Sequence, residues 1–254
     1  MHRLPLEQRI YLVFQSLALV ALCVRLWRAG LHKVYVYFFS YLLFELLQTL
    51  IPLALPLESR GYRNAFVATE ALVICCYALM VLELYSIILR DLAGIASVSR
   101  RYIKIILGFA IIISMLPLRL EKPPDTLTGY LFIFERPVVS SLVVFLLLLA
   151  GFLVYYPIPL NRNVLVYLLG YMLWFLADAT TIFINNMGYY LTHLWNAVLM
   201  VAYTACLVLW LVALDRRGET KAVVVGHQWN LADETHLLSQ LEAINDSVLR
   251  KTHK

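Results

Sequence analysis

PVVSSLVVFLLLLAGFLVYY, Pro137 to Tyr156, is twenty residues long and carries no charged side chain. At 1.5 Å per residue such a run spans the roughly 30 Å hydrocarbon core of a bilayer, which needs about 17 to 25 mostly apolar residues. Working outward, six more stretches of that kind are bounded by charge or by Pro and Gly clusters. The seven expected spans are Ile10 to Trp27, Val34 to Leu57, Ala65 to Leu89, Tyr102 to Leu118, Tyr130 to Tyr156, Val164 to Ile184 and Leu194 to Leu214. Composition agrees with this reading. Of 254 residues, 62% are hydrophobic and 15% charged, against about 45 to 50% and about 25% in soluble domains. A soluble globular enzyme is excluded, and the sequence predicts an all-α polytopic protein.

The formal charge of +5 reports orientation before it reports nucleic acid, and no nucleic-acid partner is expected. One side of the predicted bundle carries Arg3, Arg9, Arg60, Arg63, Arg119 and Lys122, with Arg136 if exposed. The other carries eleven, among them Arg25, Arg28, Arg90, Arg100, Arg101, Arg216 and Lys221. The excess predicts an outer N-terminus and a cytoplasmic C-terminus. The linkers are short, and Met1 to Arg9 runs into a full-length span without a small-residue cleavage site, so no cleavable signal is expected. Residues 1–217 read as the transmembrane domain and 218–254 as a tail. These features, with no glycosylation sequon in any loop, favour a bacterial inner membrane.

Ionisable groups inside spans cost about 2.5 to 3.5 kcal/mol each to insert and are the first place to look for function. Glu45 lies near the centre of span two, with Gln48 three residues on and on the same helical face. Glu70, Arg136 and Asp178 are expected about 8 to 9 Å below the outer boundary. Together Glu45, Gln48, Glu70, Arg136 and Asp178 predict an outward-facing polar cavity, with Glu135 beside them and Gln15 and Asn196 at similar depth. Pro137 leaves a second choice open, because proline favours a helix's first turn and disfavours helical geometry in the residue before it. If span five begins at Pro137, Glu135 and Arg136 sit at the interface. Arg25, near the inner end of span one, can snorkel to the headgroups. Glu83 has a shorter stem and calls for a role. His193 opens span seven as an interfacial histidine.

Cys23, Cys75, Cys76 and Cys206 all fall in spans, where thiols behave as small apolar groups; no metal site, disulfide or cofactor is indicated. Leu194 to Leu214 contains no lysine for a retinal Schiff base. No protease pair and no Gly-x-x-x-Gly is present, and no enzyme activity is expected.

From Asn230 the composition changes. Asn230 can cap a helix running from Leu231 to about Lys251, with acids in its first turn and Arg250 and Lys251 in its last. Leu237, Leu241, Ile244 and Val248 form an apolar stripe with helical spacing. Four acids, and no Lys or Arg between Trp229 and Leu249, argue against anionic lipid as its target. Docking on a protein partner, or self-association, is the expected use. The leading expectation is a non-enzymatic receptor or accessory subunit. Its rivals are a small-solute or proton-coupled transporter using Glu45 and a structural subunit of a larger membrane complex.

Overall fold

The computed structural model describes residues 6–56, 59–90, 127–156, 158–187, 192–224, 239, 240 and 243. Among these the fold is almost entirely helical. Helix α1 is Leu6–Ala29, α2 Val36–Ala54, α3 Arg60–Ile88, α4 Leu127–Tyr155, α5 Arg162–Met187 and α6 Thr192–Ala213. Five of them, α1 to α5, contain segments long and apolar enough to cross a membrane; the corresponding apolar stretch of α6, Ala197–Ala213, is shorter. The predicted fourth span, Tyr102 to Leu118, lies outside the described residues.

Helices α1 to α6 pack in sequence order, each on the next, and α6 packs back on α1. The described helices therefore close a ring, with α3 also touching α5 across it. Outer faces are apolar: Leu148 is 70% exposed, and Val201 and Val212 are each 69% exposed. Polar side chains such as Glu70, Glu135 and Asp178 are buried instead. This inversion of the soluble pattern fits a lipid surrounding, where the solvent is as apolar as leucine and backbone polar groups must be satisfied within helices.

Local sequence explains the helix ends. Ser59 caps α3 by accepting from the Tyr62 amide at 3.0 Å, the usual service of a short hydroxyl residue at an N-terminus. The helix therefore starts five residues before the apolar run that announces it. Gly30, at φ 75°, turns the chain out of α1 in a left-handed conformation open to glycine without strain. Helix α4 runs through Pro137 rather than starting there. Glu135 and Arg136 are thus helical, which settles the choice left open by the sequence. Proline inside a spanning helix is tolerated where neighbouring helices brace it.

Two charged groups in the half of the bundle away from the α2–α3 loop turn out to cap neighbouring helices. Glu83, on α3, accepts from the amides of Val36 (2.8 Å), Tyr37 (3.2 Å) and Phe38 (3.4 Å) at the start of α2. A carboxylate there satisfies orphan amides and meets the positive end of the helix dipole. Arg25 does not reach for headgroups; its Nε donates to the Leu214 carbonyl (2.9 Å) and its guanidinium to that of Val212 (3.2 Å), closing the C-terminal end of α6. Glu83→Ala is expected to cost about 1 to 2 kcal/mol by uncapping α2, with Glu83→Gln, which still accepts, costing less. Thermal unfolding in detergent reads this, and an unchanged Tm for Glu83→Ala would refute the cap.

Not everything beyond the helices is loop. Pro159–Asn161 (β1) and Ala222–Val224 (β2) pair antiparallel, Leu160 opposite Val223. A 3-10 turn, Arg216–Glu219, carries the chain from α6 to this ladder, with Asp215 accepting from the Gly218 amide. Residues 218–224, read from sequence as tail, are tied to the end of the bundle.

Candidate functional site

Each helix of the ring delivers one polar side chain to the same level. These are Gln15 from α1, Glu45 from α2, Glu70 from α3, Glu135 from α4, Asp178 from α5 and Tyr203 from α6. Each lies between eight and eleven residues from the helix end on the α2–α3 loop side, about 12 to 16 Å along the axis. The group is therefore one layer, nearer the α2–α3 loop end of the longer helices than their other end.

Gln15 Nε2 donates to Glu45 Oε1 at 3.4 Å, and Gln48 donates to Glu70. Gln48 thus shares its helical face with Glu45 but serves the neighbouring helix. Glu45, Glu70, Glu135 and Asp178 lie close enough to repel one another when ionised. Glu70, Glu135 and Asp178 are buried, whereas Glu45 and Gln48 are half-buried. Asp178 Oδ2 has no hydrogen-bond partner among the described residues.

Below this layer the core is aromatic. Tyr41, one turn from Glu45, packs against Tyr77 with ring centroids 5.6 Å apart, and Tyr77 meets Phe175 edge-on at 5.1 Å. The Tyr41 and Tyr203 rings are fully or almost fully buried, and their hydroxyls lie toward each other and Glu45 without good hydrogen-bond geometry. Buried hydroxyls are normally paired. Sequence reading passed over these tyrosines, although the four-residue spacing of Tyr41 and Glu45 puts them on one helical face.

Of the expected cavity residues, Glu45, Gln48, Glu70 and Asp178 come together. Glu135 is buried on the α4 side of the layer, while Arg136, one position on and therefore about 100° around the helix, is half-buried. Arg136 has interactions of its own. The side chains of His193 and Asn196, and the docking stripe Leu237, Leu241, Ile244 and Val248, lie outside the described residues. Among the described residues no three His, Cys, Asp or Glu side chains are placed to hold a metal ion. Cys75 is exposed while Cys76 is buried, and the four thiols are free. An apolar groove of about 850 Å³ runs between α1 and α6, lined by Tyr11, Phe14, Met200, Val201, Thr204 and Val208 among others; no carboxyl of the layer lines it.

Comparison with models of known families, with curated proteins and with solved structures finds no match.

Proposed function

We propose that the chain is a seven-span carrier of the inner membrane of a bacterium, moving a small solute in exchange with or alongside protons, with Glu45 as the titrating group. The observation that carries this reading is the polar layer to which all six described helices contribute. Ionisable groups inside a bundle of apolar helices cost insertion energy and mark ion and proton pathways, and carrier sites lie between helices that rock against one another. Glu45 is the one carboxyl residue of the layer that is not buried along its whole length. In this proposal the N-terminus is outside, the C-terminus cytoplasmic, and the tail helix with Leu237, Leu241, Ile244 and Val248 docks on a partner protein or a second copy. Any truncation used to test that docking has to retain Ala222–Val224, since these residues pair with the bundle.

One observation favours a receptor instead. The described spans run without a break, α3 for 29 residues, whereas carrier sites are commonly built on interrupted helices. A receptor would hold its ligand in the same layer and pass the signal to a partner through the tail.

Flux separates the two. Full-length protein in liposomes with a pH-sensitive dye inside is expected to acidify or alkalinise the lumen when a transported solute gradient is applied, and Glu45→Gln is expected to bring the signal to background. Proton movement that survives Glu45→Gln would remove Glu45 from the pathway. No flux with any solute tried, alongside ligand-induced thermal stabilisation, would favour the receptor.

A further inference from the structure

We infer that the layer binds an aliphatic di- or polyamine, held by Asp178, Glu70, Glu135 and Glu45 and by the hydroxyls of Tyr41 and Tyr203. The inference rests on the site proposed above but not on transport.

The charge balance comes first. Four carboxyl groups from four helices face one interior, and the one basic residue adjoining them in sequence is Arg136. Even with Arg136 fully engaged by one of them, three acids remain against no further described cation. Such a surplus inside an apolar bundle is relieved by protons or by positive charge from outside, and a cationic ligand supplies the latter.

Geometry then restricts the kind of charge. No three of the described acidic side chains converge on one point as a metal ion needs. Carboxyls spread around a ring match a ligand whose charge is also spread, with ammonium groups separated by a methylene chain. That chain would lie against the rings of Tyr41, Tyr77 and Tyr203, which also attract cations through their faces.

Two features suit N–H donors. Asp178 is only 8% exposed and its Oδ2 has no hydrogen-bond partner among the described residues. Tyr41, at 0% exposed, and Tyr203, at 3%, have hydroxyls that lie toward each other and Glu45 without good hydrogen-bond geometry. Buried acceptors left open are costly, and a primary or secondary ammonium closes several at once. A quaternary ammonium has the charge but no N–H, and sodium has the charge but no chain to lie on the rings. Both are expected to bind more weakly.

The test is calorimetric titration of the full chain in lipid nanodiscs with 1,4-diaminobutane, against tetramethylammonium and sodium chloride at matched ionic strength. Saturable binding of the diamine alone is expected. Asp178→Asn is expected to weaken it by about tenfold or more, the loss of one charge-assisted hydrogen bond. Tyr203→Phe removes a single oxygen with the ring in place, and a several-fold loss is expected even if Asp178→Asn fails to fold. No saturable diamine binding overturns the inference. So does tetramethylammonium binding as tightly as the diamine, or wild-type affinity in both variants. Diamine binding without any flux leaves this inference standing and defeats the carrier reading; proton-coupled flux of another solute without diamine binding does the reverse.

Discussion

Gly170→Ala is expected to be among the most damaging single-methyl additions available in this chain. A Cβ on Gly170, in α5, would overlap the indole of Trp210 on α6 at three of its ring atoms. Trp210 has nowhere to go. It is 1% exposed, meets Phe38 edge-on at 4.9 Å and Tyr171 edge-on at 5.8 Å, and its neighbour Cys206 already places its sulfur 3.5 Å from the Gly170 carbonyl. Adding volume to a packed core costs about 1 to 3 kcal/mol, and the upper end applies when the obstacle is a rigid ring rather than a flexible chain end. In lipid, where helices associate by close packing rather than by the hydrophobic effect, small residues at contacts carry that packing. Gly151, in α4, is the control: a Cβ there meets nothing within 4 Å, so Gly151→Ala is expected to be neutral or slightly stabilising. The check is thermal unfolding of Gly170→Ala, Trp210→Leu and the double variant. The indole is the obstacle if the double variant is more stable than the sum of the single effects predicts. A Gly170→Ala protein with wild-type Tm, or no recovery in the double variant, would show that α5 and α6 can part.

This contact shows what the sequence could and could not disclose. Spans are legible because length and apolarity are local: six of the expected runs overlie α1, α2, α3, α4, α5 and α6, with ends differing by up to five residues. The ends shift where a cap outranks apolarity, as at Ser59. Close approach of α5 and α6 at Gly170 leaves no Gly-x-x-x-Gly to notice, since one glycine facing one tryptophan from another helix is a tertiary fact. The same holds for Glu83 and Arg25, whose partners are the ends of other helices and lie 45 or more positions away in sequence. The polar layer was partly legible, because Glu45, Glu70 and Asp178 are conspicuous in apolar surroundings. That Glu135 joins them on the α4 side depends on where α4 begins, and Pro137 gave the wrong cue for that. Tyr41 and Tyr203 were invisible for the opposite reason: tyrosine is unremarkable in a span until its hydroxyl is found buried beside a carboxyl.

The end of the bundle away from the layer supplies the other large effect, since Glu219→Ala is expected to release the segment that follows α6. Glu219 accepts from the Tyr35 hydroxyl at 3.0 Å, from Asn163 Nδ2 at 2.6 Å and from Asn161 Nδ2 at 3.4 Å. Two of these donors are out of reach of water, Asn163 at 0% and Tyr35 at 2% exposed. Removing the shared acceptor leaves them unpaired, at a cost of about 3 kcal/mol for the group. Asn163 retains its bond to the Asp215 carbonyl at 2.8 Å, so the turn is weakened rather than abolished. Glu219→Gln keeps one carbonyl oxygen where Tyr35 and Asn163 converge and is expected to lose far less. Arg216 and Arg217 are exposed in this turn, so limited trypsin digestion reports its opening directly: Glu219→Ala is expected to be cut there faster than wild type, and Glu219→Gln near the wild-type rate. Equal rates for all three would mean the β1–β2 ladder holds the segment unaided. Faster cleavage with an unchanged overall Tm would confine the loosening to the segment itself.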